Sequence, residues 1–152
     1  MLDSVTEAQW REFDANGVVS LGVALSPQEL SSLSARLDAI MMGDASDVPF
    51  DKLLMQVEGG PQTRGHKGRT LAYRKIQGLE RDPVLMNSYL RSPLFHAVSR
   101  RMYPGSCGIY RTMFFNKPAP EVPGEAGNTV PTRQCCAPPS IPYFACVPIQ
   151  QQ

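Results

Sequence analysis

An abrupt change in proline and charge content near residue 118 limits how much of this chain can form regular structure. Residues 118–152 hold eight of the 14 prolines and three of the four cysteines, but only three charged residues. Proline removes a backbone hydrogen-bond donor and is excluded from helix interiors and central strands. We therefore predict that residues 1–119 fold, and that residues 120–152 form a largely irregular tail rich in proline and cysteine.

The remaining composition excludes several classes of protein. The chain has 152 residues, a net charge of +1 and an acidic, polar start, MLDSVTEAQWREFD. This start lacks the features of a signal peptide, and the sequence contains no apolar run long enough to cross a membrane. A net charge near zero provides no electrostatic attraction for nucleic acid or anionic lipid. We expect an intracellular, cytoplasmic protein without nucleic-acid or membrane partners.

Helix start and stop residues occur at four places in the first part of the chain. Ser4 and Glu7 have the spacing of a capping box, and Gly17 ends the helix that follows. Ser26 and Pro27 begin an amphipathic helix that ends near Met42. Two shorter helices are predicted from the Asp-Pro and Ser-Pro pairs at residues 82–83 and 92–93.

Three segments have the composition of β-strands, and they occupy residues 18–25, 71–76 and 107–115. Strand alternation puts Ile109, Arg111, Met113 and Phe115 on one face of the last segment, and it puts Lys75 on the same face as Gln77. The mixture of helices and strands predicts an α+β fold.

Residue types that bind metals are scarce in this sequence. The histidines are His66, in a glycine-flanked loop, and His96, on the predicted helix after residue 93. They lack the His-x-Asp spacing that brings two iron ligands together on one strand. The cysteines lack the pairwise spacing of a zinc site, and we interpret them as free thiols. We predict neither a metal-ligating nor a catalytic residue.

Basic residues cluster between Arg64 and Arg81, and this cluster has two interpretations. It is either a solvated loop and strand end or a pocket for an anion, because lysine and arginine side chains both bind carboxylates. Lys75 is the strongest candidate in the second interpretation, because it lies on a predicted strand in the same sequence segment as Gln77.

Three segments, taken in order, resemble a known family of enzymes. They are QWREFDANGVV with LSPQEL at residues 9–30, KIQ at residues 75–77, and YRTMFFNKP at residues 110–118. In this order and spacing they are similar to the front part of phytanoyl-CoA dioxygenase-like proteins. The resemblance covers about residues 7–119, and the last segment is the most specific of the three.

The resemblance implies an Fe(II)- and 2-oxoglutarate-dependent dioxygenase with a small-molecule substrate. It implies a fold in which helices pack on part of a double-stranded β-helix, a jelly-roll-like sheet. In this family the lysine of the KIQ segment and the methionine of the TM-x-x-NKP strand line the 2-oxoglutarate pocket. Carried over residue by residue, the cofactor-binding residues are Lys75 and Met113. An ammonium group attracts a dianion, and a methionine side chain packs against its aliphatic part.

The sequence departs from the family where the iron-binding strand is expected. At residues 131–135 it has PTRQC, which places Arg133 and Cys135 where the family has histidine and aspartate. A guanidinium has no lone pair to offer a metal. We therefore expect a truncated fold without the His-x-Asp…His iron site, inactive by itself.

Two further hypotheses remain open at the level of sequence. The first is a non-catalytic binding or interaction protein derived from the same fold, in which exposed sheet edges promote self-association. The second is that residues from about 120 onward are not the family's polypeptide, as after a change of reading frame, a splice variant or an error in the gene sequence. The second hypothesis is compatible with the dioxygenase resemblance.

Overall fold

The computed structural model describes residues 2–103 and 105–116, together with the backbone of residues 143–148. Helices and strands are both present, so the predicted α+β class is confirmed. The elements, in chain order, are α1 (Glu7–Asn16), α2 (Pro27–Met42), β1 (Leu54–Val57), β2 (Thr63–Arg64), β3 (Tyr73–Gln77), α3 (Pro83–Leu85), α4 (Pro93–Met102), β4 (Cys107–Phe115) and β5 (Tyr143–Pro148). Short 3₁₀ turns at Phe50–Lys52 and Leu79–Arg81 precede β1 and α3.

The strands form one antiparallel sheet with the order β2-β1-β3-β4-β5. β3 is the central strand, and it lies between β1 and β4. A register shift between Gln56 and Val57 marks a bulge in the β1–β3 pairing, and a second shift lies between Ile109 and Arg111 in β4. The second bulge interrupts the alternation predicted for β4, so only the stretch from Arg111 to Phe115 continues as one uninterrupted face.

α2 and one face of the sheet enclose the hydrophobic core. Ile40 and Met41 of α2 are fully buried, and they belong to the same cluster as Met55, Ile76 and other apolar residues of the sheet. Residues Met55, Ile76 and Phe114 face each other across β1, β3 and β4 in the strand register. Because side chains alternate along a strand, the intervening residues of β3 and β4 lie on the opposite face.

α1 and α2 both begin with a capping box. In α1 the N-cap is Thr6, which pairs with Gln9, rather than the Ser4 and Glu7 pair that the sequence predicted. In α2 the predicted pair of Ser26 and Glu29 is confirmed.

The predicted strand at residues 18–25 is wrong. This segment pairs with no strand of the sheet that the structure describes, and its side chains at Val18 and Val23 are 69% and 85% exposed. Its backbone contacts include a hydrogen bond from the Leu2 N–H to the Ala24 carbonyl, at 2.7 Å. Gly22 adopts a φ of 74°, which breaks the extended conformation that a paired strand needs.

One other expectation needs correction. The helix predicted after residue 82 begins as expected, but it changes from α3 into a π-helical turn at Met86–Leu90.

Within the tail, the structure describes one strand, β5 at Tyr143–Pro148, which pairs with β4. The proline content of the tail as a whole obscured a short run of aromatic and β-branched residues, which suit a strand at the edge of a sheet. Residues 117–142, which make up most of the tail, lie outside the described residues.

Candidate functional site

The pairing of β3 with β4 brings the two predicted cofactor-binding residues to one face of the sheet. Lys75 lies opposite Phe115, and Gln77 lies opposite Met113. Residues that face each other across an antiparallel pair share one side of the sheet, and so do residues two apart on one strand. Lys75, Gln77, Met113 and Phe115 therefore form one surface, which we call the Lys75 face, opposite the hydrophobic core.

Lys75 is half-buried, and its charge has an aromatic neighbour. Its Nζ lies 5.5 Å from the centroid of the Phe115 ring, within the range of a cation–π contact. It forms no ion pair with a residue that the structure describes. The ammonium group therefore retains hydrogen-bonding capacity that an anionic ligand can use.

Two other members of the basic cluster, Arg69 and Arg74, have acidic partners in the fold instead of sharing an anion pocket with Lys75. Arg69 donates to both carboxylate oxygens of Asp44, at 2.7 and 3.1 Å. Arg74 lies 3.5 Å from a carboxylate oxygen of Glu58 and also donates to the Asn116 carbonyl. These arginines are occupied by partners in the fold, which favours the interpretation of a solvated loop and strand end for them.

Gln77 is the most buried polar residue of the Lys75 face. It is 6% exposed, and across the strands it lies opposite Leu54 of β1 and Met113 of β4. The sequence placed it on the same face as Lys75 through strand alternation, but assigned it no role.

A network around Thr112 connects the 3₁₀ turn after β3 to the strand that carries Met113. The Thr112 hydroxyl donates to a carboxylate oxygen of Glu80 at 2.7 Å and accepts from the Glu80 backbone N–H at 2.9 Å. The same carboxylate oxygen accepts from the Thr112 backbone N–H at 3.1 Å. Gly78 adds a backbone hydrogen bond to the Thr112 carbonyl. Because Thr112 is 1% exposed, these bonds are shielded from water and hold Met113 in register with Gln77.

Asn116 holds the other end of the same two strands. Its side-chain amide donates to the Leu71 carbonyl at 2.9 Å, and its backbone N–H donates to the Arg74 carbonyl at 2.9 Å. Asn116 belongs to the segment that resembles the enzyme family, but its contacts are structural. Neither this contact nor the Glu80–Thr112 network has a spacing rule that would reveal it from the sequence.

A buried ion pair connects α2 to the start of α3. Asp82 is fully buried, and one of its oxygens accepts from Arg36 Nε and Nη2 at 2.9 and 2.7 Å. The other oxygen accepts from the Leu85 backbone N–H and caps α3. Burial opposes the charge of Arg36, but hydrogen bonds to Asp82 and Asp47 raise the pKa of its guanidinium overall. The guanidinium therefore stays charged and connects α2 to the start of α3.

The two histidines lie in the loop and on the helix in which the sequence placed them. His66 accepts from the Gly68 backbone N–H at Nδ1, which leaves Nε2 to donate to the Met41 carbonyl at 2.8 Å. Its ring also packs against Phe50 and Tyr73. His96 is exposed on α4. Over the ranges with described side chains, no group of three histidine, cysteine, aspartate or glutamate residues could hold a metal ion.

The residues aligned with the family's iron ligands, Arg133 and Cys135, lie outside the described part of the chain. Cys107 is a half-buried free thiol at the start of β4. Among the helices described, none combines the length and apolar character needed to cross a lipid bilayer.

No protein-family model matches the chain, and no curated protein or solved structure matches it either. The resemblance to phytanoyl-CoA dioxygenase-like proteins therefore stays a prediction that rests on the three segments. The candidate binding residues Lys75 and Met113 belong to the second and third of these segments.

Proposed function

We propose that the Lys75 face binds 2-oxoglutarate or a closely similar carboxylate, as the front part of a phytanoyl-CoA dioxygenase-like fold. The observation that carries this proposal is the register of β3 and β4. Lys75 and Met113 come from distant parts of the sequence, yet they lie on one face of adjacent strands. Lys75 lies opposite Phe115, and Met113 is two residues before Phe115 on β4. The family resemblance predicts that both residues line one pocket, and this placement supports the prediction.

The residues of the face have complementary roles in this proposal. The ammonium of Lys75 attracts a carboxylate, and its cation–π contact with Phe115 restricts where the ammonium can lie. Met113 provides an adaptable apolar surface for the carbon chain of the ligand. The Glu80–Thr112 network keeps Met113 beside β3, so the face is preorganised before a ligand arrives.

Iron does not fit the described residues. A facial triad needs two imidazoles and a carboxylate on one side of the metal, but both ring nitrogens of His66 are engaged by backbone groups. We therefore propose binding without turnover by these 152 residues. Succinate release by the purified chain, supplied with iron, ascorbate and 2-oxoglutarate, would overturn this statement. Absence of succinate together with measurable 2-oxoglutarate binding would support it.

Calorimetric titration with 2-oxoglutarate tests the binding proposal. Removal of the ammonium in Lys75→Met should weaken binding at least about tenfold, because a charge-assisted hydrogen bond to the ligand is lost. Lys52→Met is the matched control, since it changes the net charge equally at an exposed lysine that pairs with Asp51. Equal loss in the two variants, or no binding by the unmodified chain, would contradict the proposal.

A second candidate function is a non-catalytic interaction protein derived from the same fold. The observation that favours it is the segment at residues 18–25, where Val18 and Val23 are exposed and pair with no described strand. Their apolar side chains can pack against a second copy of the chain. Size-exclusion chromatography should then show a dimer that V18S and V23S convert to a monomer. A concentration-independent monomer would exclude this candidate.

A further inference from the structure

The strands of the described sheet contain basic residues but no acidic ones. Their charged residues are Arg64 in β2, Arg74 and Lys75 in β3, and Arg111 in β4. Neither aspartate nor glutamate occurs in any of the five described strands. A surface lined by one sign of charge attracts ligands of the opposite sign. The sheet therefore attracts anions although the net charge of the chain is only +1.

Arg111 lies on the same side of the sheet as Lys75. Arg111, Met113 and Phe115 share one face of β4, and Phe115 lies opposite Lys75. The Arg111 side chain is exposed. Among the residues that the structure describes, no acidic side chain pairs with Arg111 or with Lys75. Both charges are therefore available to an anionic ligand.

Each of these two charges has an aromatic neighbour at its own end of the face. Lys75 Nζ lies 5.5 Å from the centroid of the Phe115 ring. The guanidinium carbon of Arg111 lies 5.3 Å from the centroid of the Tyr110 ring, and Tyr110 is the extra residue of the bulge in β4. Tyr110 precedes Arg111 on the strand, on the side away from Met113. Both cation–π contacts therefore favour separation of the two charges over their convergence.

The strand geometry sets the distance between the two basic residues. Arg111 and Phe115 are four residues apart on β4, which corresponds to about 13 Å between their Cα atoms. Lys75 lies one strand across from Phe115, a step of about 5 Å. The Cα atoms of Lys75 and Arg111 are therefore about 14 Å apart. A fully extended saturated chain of about ten to twelve carbons covers a similar distance.

We propose that Arg111 is a second binding residue for an anionic group, and that Lys75 and Arg111 together hold a dicarboxylate of about ten to twelve carbons. This inference rests on the proposed binding of a carboxylate at Lys75, and it adds the class of ligand that the face accepts. Met113 lies between the two cations on the same face, and its adaptable apolar side chain packs against the methylene chain of the ligand. The planar guanidinium of Arg111 donates to the far carboxylate.

Arg64 is a matched arginine for comparison. It lies opposite Leu54 of β1, and Leu54 lies opposite Gln77 of β3, so the register places Arg64 on the same side of the sheet as Lys75. It is exposed, and it belongs to the edge strand on the side of β3 away from β4. Arg64→Gln therefore lowers the positive charge of this side as much as Arg111→Gln does, without changing a residue between Lys75 and Arg111.

Calorimetric titration of the full chain with dodecanedioate and 12-hydroxydodecanoate tests the inference. The two ligands have the same chain length and share one carboxylate, but only dodecanedioate has a second. We expect dodecanedioate to bind about tenfold more tightly. About fivefold comes from the charge-assisted contact with Arg111, and about twofold arises because either end of this symmetric ligand can meet Lys75.

Variants assign this preference to one residue. Arg111→Gln should reduce it to about twofold, the statistical part, with little change for 12-hydroxydodecanoate. Arg111→Lys retains the charge and should retain most of the preference, and Arg64→Gln should leave it intact. The affinity for 2-oxoglutarate should not change in Arg111→Gln, because the two carboxylates of this short ligand are too close together to reach both cations.

The outcomes separate this inference from the proposed function. If neither of the two long ligands binds and 2-oxoglutarate does not bind, carboxylate binding at Lys75 is wrong and the inference falls with it. If 2-oxoglutarate binds but dodecanedioate has no advantage beyond the statistical part, only the role of Arg111 is wrong, and this result needs no variant. Equal losses in Arg64→Gln and Arg111→Gln would indicate a general attraction of anions and would also overturn it. A preference that depends on Arg111, without binding of 2-oxoglutarate, supports the inference and contradicts 2-oxoglutarate as the ligand.

Discussion

The helices α1 and α2 start and stop in the same way, but only α2 belongs to the core. Each begins with a capping box and ends at a glycine with positive φ, Gly17 in α1 and Gly43 in α2. α2 buries Leu37, Ile40 and Met41, whereas α1 buries no residue. Helix formation is thus encoded locally in both, while the contribution of a helix to stability depends on what its side chains contact.

The largest expected difference between the two regions concerns apolar side chains. Ile40→Ala should lower the free energy of unfolding by about 3–4 kcal/mol, because Ile40 is fully buried and its loss leaves a cavity. Val23→Ala, in the exposed segment after α1, should change it by less than about 0.5 kcal/mol. Urea denaturation of both variants measures the difference. Similar losses would mean that the N-terminal segment is as well packed as the core.

Loss of an ion pair should also lower the free energy of unfolding much more in the core around α2 than at the exposed helix α1. Asp82→Asn retains an acceptor for the cap of α3 but leaves the Arg36 charge with a weaker partner in a buried setting. We expect a loss of about 3 kcal/mol. Asp14 pairs with Arg101 at 3.4 Å, with both side chains more than half exposed, so Asp14→Asn should cost less than about 0.5 kcal/mol. Thermal melts at neutral pH compare them, and equal costs would refute a special role for the buried pair.

Removal of the N-cap side chains compares two helices with the same local start. Ser26→Ala should reduce global stability by about 1 kcal/mol, because α2 must form for the core to pack. Thr6→Ala should weaken α1 by a similar amount without a comparable change in global unfolding, since α1 buries no residue. Amide hydrogen exchange resolves the two effects. Faster exchange throughout the sheet in Thr6→Ala would show that α1 is coupled to the core.

The smallest expected effect is a pH dependence of stability that arises from Asp47, which accepts a hydrogen bond from Arg36. The hydrogen bond from Arg36 lowers the pKa of the exposed Asp47 carboxyl below its ordinary value. A depressed carboxyl pKa stabilises the fold above the ordinary value, and this contribution is lost as the pH falls through the lowered pKa. Asp47→Asn should therefore be slightly less stable than the unmodified chain at pH 7, with no such difference at strongly acidic pH. A difference that persists unchanged in acid would contradict this account.

Most of the predicted helices and two of the three predicted strands are present, because caps, prolines and alternating side chains act locally. The segment at residues 18–25 has the composition of a strand, but composition does not supply a neighbour for its backbone groups. In the tail, β5 forms at Tyr143–Pro148, a short stretch with residues suited to a strand inside a segment whose average composition is not. For the site, alternation correctly placed Lys75 and Gln77 on one face.

The sequence alone determined where α2 begins and ends, that α1 ends at Gly17, which class of fold the chain adopts, and which two residues to examine. Those properties depend on neighbours a few residues away. The tertiary structure decided that Lys75 and Met113 share one face of the sheet, and that Asp82 is buried against Arg36. These contacts join residues far apart in the chain, so their geometry exists only after the strands have paired and the core has closed.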